Sequence, residues 1–370
     1  MVKLLANLAV ANLAVAALAA SALAAPAANA IGPAPKVAPG LARLPTGFSY
    51  TVYAQHLRDV RWLRFGPDGA LYASLTQPGE IVRLEGLSSD GRALHRKVVL
   101  AGLDLPHGIA FRGRDMYVAE TGDIRLFSDK ERPGKRIAFL PAGGMHFTRT
   151  IWFGPDGWLY VSVGSDCNAC QEVDPRRAAI SRMHADGTGF EVYARGLRNA
   201  VGFDWAPDGR LFATVNGRDG LGDNEPPDLI VDVKQHGDYG WPFATYDHHA
   251  DPAFVGRDLS HVLPPAALLR PHAAPLGLVF STHARFPARF RSGMFVCEHG
   301  SWDRSRPLGY DVVYLPYSGG KVGQWEPFMT GFLVGRGAWG RPVCPAIGPD
   351  GALYISDDRR DAIYRVTYGR

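Results

Sequence analysis

The chain has 370 residues, 46% apolar and 21% charged, a balance that fits a globular protein with ample core and excludes a disordered one. A formal charge of +4, with no run of Lys or Arg, gives no ground for a nucleic-acid partner. With 43 glycines and 28 prolines, the composition favours many turns over long helices.

In chain order, the first thirty residues, MVKLLANLAVANLAVAALAASALAAPAANA, place Lys3 ahead of an Ala/Leu/Val run that ends at Ala28-Asn29-Ala30. This is the pattern of a signal peptide cleaved near Ala30, which predicts a periplasmic or secreted protein with no stable membrane insertion. The length of the run leaves an uncleaved anchor as the alternative. Residues 31–44, IGPAPKVAPGLARL, read as a Pro-rich lead-in without structure of its own, and residues 45–370 as one domain.

That domain repeats itself. FGPDGALYAS at 65–74, FGPDGWLYVS at 153–162, WAPDGRLFAT at 205–214 and IGPDGALYIS at 347–356 are copies of one unit, an aspartyl-glycine turn feeding an alternating strand. FRGRDMYVAET at 111–121 and FPARFRSGMFVCEHG at 286–300 are degenerate copies. Copies that begin near 65, 111, 153, 205, 286 and 347 have the spacing of propeller blades with insertions, since a blade of four strands needs about 40–50 residues. The expected fold is therefore an all-β, six-bladed β-propeller. The strand FSYTVYAQ at 48–55 precedes the first copy, and the chain ends one strand short of a blade, so pairing the two would close the ring. Insertions at 216–228 and 246–265 are loops of the length that carries function.

Three residue groups stand out for their chemistry. His146, eight residues before Gly154, lies just ahead of a strand; it either projects from the end of the sheet or bonds backbone within its loop. Cys167 and Cys170, in C-N-A-C, read as a small loop-closing disulfide, with a reactive or metal-binding pair as the alternative. No histidine follows Cys170, which removes a covalently attached haem. Cys297 and Cys344 stand alone, and a pairing between them on consecutive blades stays open.

LRNAVGFDWAPDG at 197–209, NGRDGLGDNEPPD at 216–228, DYGWP at 238–242, CEHGSWDRS at 297–305 and WGRPV at 339–343 follow in order at blade boundaries. Together they resemble the sorbosone dehydrogenase branch of the soluble glucose/sorbosone quinoprotein dehydrogenases, over about residues 45–368. The resemblance implies a six-bladed propeller holding pyrroloquinoline quinone (PQQ) and calcium on one face, and oxidation of an aldose or sorbosone-like hydroxy-aldehyde. It implies a sugar substrate and a separate electron acceptor. That cofactor is a planar orthoquinone with three carboxylates, so its site needs cations and a flat wall. Arg198, Arg341 and His299 are loop cations suited to carboxylates or quinone oxygens, and Trp302 or Trp339 could supply the wall. By position, His146 matches the family's general base, Arg198 and Asn199 the polar pair beside the quinone, Arg341 a cofactor-binding arginine, and His299 a lysine of the glucose enzymes. Gly217 and Arg218 match a pair of carbonyl ligands to calcium.

Plainer readings stand beside these. Arg198–Asn199 would equally make a turn that satisfies strand ends, Arg341 a surface ion pair, His107 a packed residue in place of a second active-site group, and His248-His249 no metal site. The chain also departs from the family. Met145 stands where the glucose enzymes carry an aspartate beside the base, and Leu229 where an acidic calcium ligand is expected, with Asp223, Asp228 and Tyr239 as substitutes. Cys344 replaces an aspartate. Two other functions fit a propeller: a calcium lactonase using Asn199, Asn216, Glu120 and Asp219, and a non-catalytic binding module.

Overall fold

The computed structural model describes residues 32–128 and 134–369; the expected signal peptide, 1–30, lies outside the described residues. Each repeat unit forms the hairpin its sequence predicts. In FGPDG the glycine after aspartate has a positive φ, at Gly69, Gly157, Gly209 and Gly351, a conformation that glycine reaches without penalty. The aspartate then fastens the turn. Asp156 accepts the Trp158 N–H (3.2 Å) and the Tyr160 hydroxyl (2.8 Å), and Asp350 accepts the Ala352 N–H (3.2 Å) and the Tyr354 hydroxyl (3.1 Å).

Six antiparallel sheets result. Blade 1 comprises Val60–Phe65, Leu71–Leu75, Glu80–Glu85 and His95–Leu100; blade 2 comprises Ile109–Arg112, Asp115–Ala119, Asp123–Phe127 and Lys135–Phe139. Blade 3 holds Arg149–Phe153, Leu159–Val163, Ala179–Met183 and Glu191–Arg195, and blade 4 holds Ala200–Trp205, Leu211–Val215, Leu229–Val233 and the short Ala267–Leu268. Blade 5 is Pro275–Phe280, Gly293–Glu298, Asp311–Ser318 and Glu326–Met329. Blade 6 is Pro342–Ile347, Leu353–Asp357, Ala362–Tyr368 and, from the other end of the domain, Phe48–Ala54. That last pairing, Phe48 with Tyr368 through Ala54 with Ile363, closes the ring as expected. The fold is an all-β, six-bladed propeller, with the first strands of successive blades packed against one another around the axis. Among the described residues no helix is long and apolar enough to cross a membrane.

Burial explains the near-continuous apolar runs. The first two strands of a blade are covered on both faces by neighbouring blades, so Leu71, Ala73 and Leu75, or Leu211, Phe212 and Ala213, are all buried. The serine or threonine that ends the repeat unit has its own task. First strands of blades 1, 4, 5 and 6 are bulged, which frees an N–H from the ladder. Ser74 accepts that N–H from Trp62, Thr214 from Gly202 and Ser356 from Cys344, at 2.9–3.0 Å. Thr214 then donates to the Leu276 carbonyl of blade 5 (2.6 Å), and Ser356 to the Arg61 carbonyl of blade 1 (2.6 Å), so one hydroxyl ties two blades.

One expectation is corrected. The Pro-rich lead-in is laid against blades 5 and 6: Lys36 bridges Ala338, Arg43 bridges Thr330, and the Ala34 N–H donates to the Tyr310 hydroxyl (2.8 Å). Between blade 4's third strand and the 246–265 insertion, Gly237–Asp238 adds a parallel strand to the edge of blade 3, and blade 4's own fourth strand has only two residues.

Replacing Thr214 with Val keeps the shape and removes both bonds, leaving the Gly202 N–H and the Leu276 carbonyl without that partner. We expect destabilisation of about 1–3 kcal/mol in denaturant unfolding; a change below about 0.5 kcal/mol, typical of surface substitutions, would contradict the tie.

Candidate active site

In a blade of antiparallel strands, the start of the first strand and the end of the second lie at the same end. The loops there carry the singled-out residues. His146, Arg198, Asn199, Gly217, His299 and Arg341 border one cavity of about 260 Å³. Arg218 is the exception: its guanidinium turns away to Asp251, with Nη1 2.8 and 2.9 Å from the two carboxylate oxygens, and it borders a smaller space nearby. A larger cavity, about 560 Å³, opens at the turn-bearing end of the axis between Trp62, Trp152, Phe203 and Phe280, and holds none of these residues.

His146 is half-buried, and its Nδ1 lies 2.9 Å from the Ser165 carbonyl and 3.1 Å from the Ser165 hydroxyl. Since that hydroxyl donates to the Cys167 carbonyl (2.7 Å), Nδ1 carries the proton and Nε2 keeps its lone pair at the cavity. The acidic neighbour missing at Met145 is thus replaced by a backbone carbonyl. Desolvation, followed by the Arg198 charge, pushes the imidazole down to about 3, so it is neutral at physiological pH. The fit is close: a Cβ on Gly164 would stand 2.6 Å from His146 Cβ and 2.5 Å from Asn199 Oδ1.

Arg198 is only 4% exposed, and each of its nitrogens is bonded. Nε donates to the Asn168 carbonyl (3.0 Å), Nη1 to the Gly217 carbonyl (2.7 Å), and Nη2 to Asn168 Oδ1 (2.9 Å) and Asp219 Oδ2 (3.2 Å). Asn168 belongs to the Cys167–Cys170 loop, and those cysteines are disulfide-bonded as predicted. The bridge therefore presents the side chain that seats Arg198. Beside it, Asn199 donates to Asn216 Oδ1 (3.3 Å), while its own Oδ1 is buried without a partner.

On the opposite wall, Arg341 donates Nε to the His299 carbonyl (3.0 Å) and makes no ion pair among the described residues. His299 Nε2 meets both oxygens of Asp358 (2.9 and 3.0 Å), which also pairs with Arg61. Burial and then Arg341 push His299 down to about 4, against the pull of Asp358. Burial alone would raise Asp358, yet His299 and Arg61 hold it below the ordinary carboxylate range. Arg61 borders the cavity too; one arginine in the strand VRWLRF was no signal until the bulge turned it to the axis. Sequence reasoning likewise passed over Asp358 and His272, which lie in turns outside the quoted motifs, and Asp303, which lies within CEHGSWDRS but was given no role.

Other expectations are settled by burial and partners. His107 is fully buried against Trp62, outside the cavity lining, so it packs. Trp339 stacks on Phe332 in the core, whereas Trp302, 47% exposed, stands at the cavity rim. Glu120 is bound to Arg125 away from the cavity, so the four side chains of a lactonase metal site are not assembled. Asp223 bonds Ser305, Asp228 bonds the Gly217 and Ala274 N–H groups, and Tyr239 bonds Asp232, so the three do not converge. His248 meets the Leu259 carbonyl and His249 stacks on Tyr246. Cys297 and Cys344 are both free and buried. Cys297 stands where other blades place the hydroxyl tie, which marks it as a packing position.

Because its folded value lies far below that of an exposed imidazole, His146 in the quinone-free protein should remain neutral as pH falls well past 6.5, the ordinary histidine value. NMR titration of its ring protons reads this directly. A midpoint between about 6 and 7 would mean that the ring is solvated and that the carbonyl contact is wrong.

The relatives of the chain agree with this architecture. An uncharacterized protein of Borreliella burgdorferi is 31% identical over 293 residues, 72% of this chain and 76% of that protein. A pyrroloquinoline quinone-dependent pyranose dehydrogenase of Coprinopsis cinerea is 25% identical over 362 residues, 75% of this chain but only 48% of that protein. Its PQQ domain superposes with a TM-score of 0.71 at 21% identity, over 88% of this chain and 97% of that one. A Trichoderma reesei carbohydrate-active enzyme of family AA12 gives 0.77 at 19% identity, over 91% and 98%. Residues 66–366 match the family described as "Domain of unknown function (DUF7133)", and the chain belongs to that family.

Proposed function

We propose that this propeller is a quinoprotein dehydrogenase, oxidising an aldose or a sorbosone-like hydroxy-aldehyde with PQQ held in the cavity. One observation carries the reading: among the described residues the Arg341 guanidinium makes no ion pair, and it borders the same cavity as the neutral imidazole of His146. An anionic ligand is what an unpaired, partly buried cation stabilises. The buried Nε of Arg61 and Oδ1 of Asn199, both without a hydrogen-bond partner among the described residues, add unused polar capacity behind the cavity walls. The quinone-dependent relatives support the same class.

The residues present fit a planar tricarboxylate. Arg341 and Arg61 would hold carboxylates, Arg198 and Asn199 would lie beside the quinone oxygens, and Trp302 with Phe147 would flank the mouth; His299, neutral and bonded to Asp358, would line the wall rather than pair with a carboxylate. The bound quinone supplies a two-electron acceptor for hydride. This chain supplies the proton acceptor. His146 Nε2 takes the substrate hydroxyl proton, with Nδ1–H on the Ser165 carbonyl fixing the tautomer and steadying the imidazolium that forms. Calcium on the Gly217 and Arg218 carbonyls fits less well. The Gly217 oxygen already accepts from a guanidinium, so no step is assigned to calcium.

Two variants separate binding from chemistry. His146→Ala should keep quinone affinity and lose about two to four orders of magnitude in dye-linked turnover. Arg341→Ala should weaken quinone binding roughly ten- to a hundredfold, the effect of losing a charge-assisted bond of about 1.5–3 kcal/mol. Near-parental turnover in the first, or unchanged affinity in the second, would remove that residue from the site.

A further inference from the structure

We propose that Asp219, His272 and Asp303 form a site for one divalent transition-metal ion at the rim of the cavity, a donor set separate from the Gly217 and Arg218 carbonyls. His272 sits in the loop that enters blade 5, in a left-handed backbone conformation (φ 59°), with its side chain 2% exposed. Its Nε2 lies 2.9 Å from two backbone carbonyls, those of Gly222 and Glu225. Both are acceptors only, so Nε2 must carry the ring proton. Nδ1 then offers its lone pair, makes no hydrogen bond, and points at Asp219 Oδ1, 3.9 Å away. A buried imidazole fixed from behind by a carbonyl is the arrangement found at histidines that bind metals.

Asp303 completes the set. One ligand atom from each of the three residues lies within 4.8 Å of the others. Bonds of about 2.0–2.2 Å put ligand atoms on one ion roughly 3–4 Å apart, so the three need to draw in by no more than about an ångström. Both carboxylates are aimed by neighbours. The Gly220 N–H donates to Asp303 Oδ2 (2.7 Å), and the Trp302 indole donates to Asp219 Oδ1 (3.2 Å). Two negative charges against the single positive charge of Arg198 leave the cluster able to take a dication. An imidazole with two carboxylates suits zinc, manganese, iron or nickel; calcium prefers oxygen alone.

The inference does not rest on the quinone reading, and its test omits quinone and sugar. Chelator-treated full-length protein is titrated with Zn²⁺ by calorimetry and with Co²⁺ by visible absorption, while tryptophan fluorescence follows Trp302. One equivalent of Zn²⁺ should bind, Co²⁺ should develop d–d bands of a nitrogen-containing site, and the fluorescence should change with the same stoichiometry. Asp303→Ala, at a partly exposed position where folding is not at stake, should weaken Zn²⁺ binding at least tenfold, and His272→Ala should abolish the Co²⁺ bands. Parental affinity in Asp303→Ala, absence of stoichiometric binding, or binding of Ca²⁺ alone would overturn the proposal.

Discussion

A guanidinium cannot leave water without replacing its hydrogen bonds, and the loops of this propeller are arranged around that requirement at Arg198. The buried side chain reaches Asn168 in the disulfide loop and both Gly217 and Asp219 in the loop that leaves blade 4's second strand. Each partner brings others. Asn168 Oδ1 also accepts the Asp219 N–H (2.8 Å), its carbonyl accepts the Trp241 indole (3.2 Å), and Asp228 holds the Gly217 N–H (2.8 Å). The Cys167–Cys170 bridge restrains the loop that carries Asn168, which explains why a disulfide stands next to the site rather than at the edge of a blade. Removing the arginine would leave several buried acceptors unsatisfied, so its role in building the site is inseparable from any role toward a ligand.

Charge at the cavity is consequently uneven. Arg198 and Arg61 are compensated by Asp219 and Asp358, and His299 shares Asp358. Among the described residues, Arg341 is the cavity arginine that makes no ion pair, so the wall it shares with Gly300 carries the net positive field. At His146 low solvent access, and after it the charge of Arg198, favours the neutral imidazole. Binding a tricarboxylate would lower the local potential and raise the basicity of His146, bringing it closer to the range useful for proton removal.

Much of this was legible in the sequence for definite physical reasons. The aspartyl-glycine turn needs a positive φ and an acceptor, so FGPDG announces a hairpin wherever it occurs, and its spacing counts the blades. Ring closure followed from a lone strand at one end and a missing strand at the other. The cavity residues from blade boundaries were found because runs such as GLRN and EHGSW cluster polar groups between apolar strands. What escaped notice depends on contacts far apart in the chain. Arg61 reaches the axis only through a bulge. Asp358 matters because His299 comes to it from another blade, and Ser165 because it replaces the absent carboxylate beside His146. The lead-in was misread because its anchoring bonds to blades 5 and 6 leave no periodicity in its own residues. Gly237–Asp238 gave no strand pattern because two residues are too few to show one.

On the proposed reading, the cavity between His146 and Arg341 binds a quinone tricarboxylate, which takes the hydride of a sugar. The most direct measurement mixes the cofactor-free protein with increasing PQQ in the presence of divalent cation, and follows uptake together with dye reduction on adding aldoses and hydroxy-aldehydes. Uptake should saturate at one quinone per chain, and dye reduction should require both quinone and sugar. Failure to retain quinone, or stoichiometric retention with no sugar-dependent reduction across the panel, would contradict it.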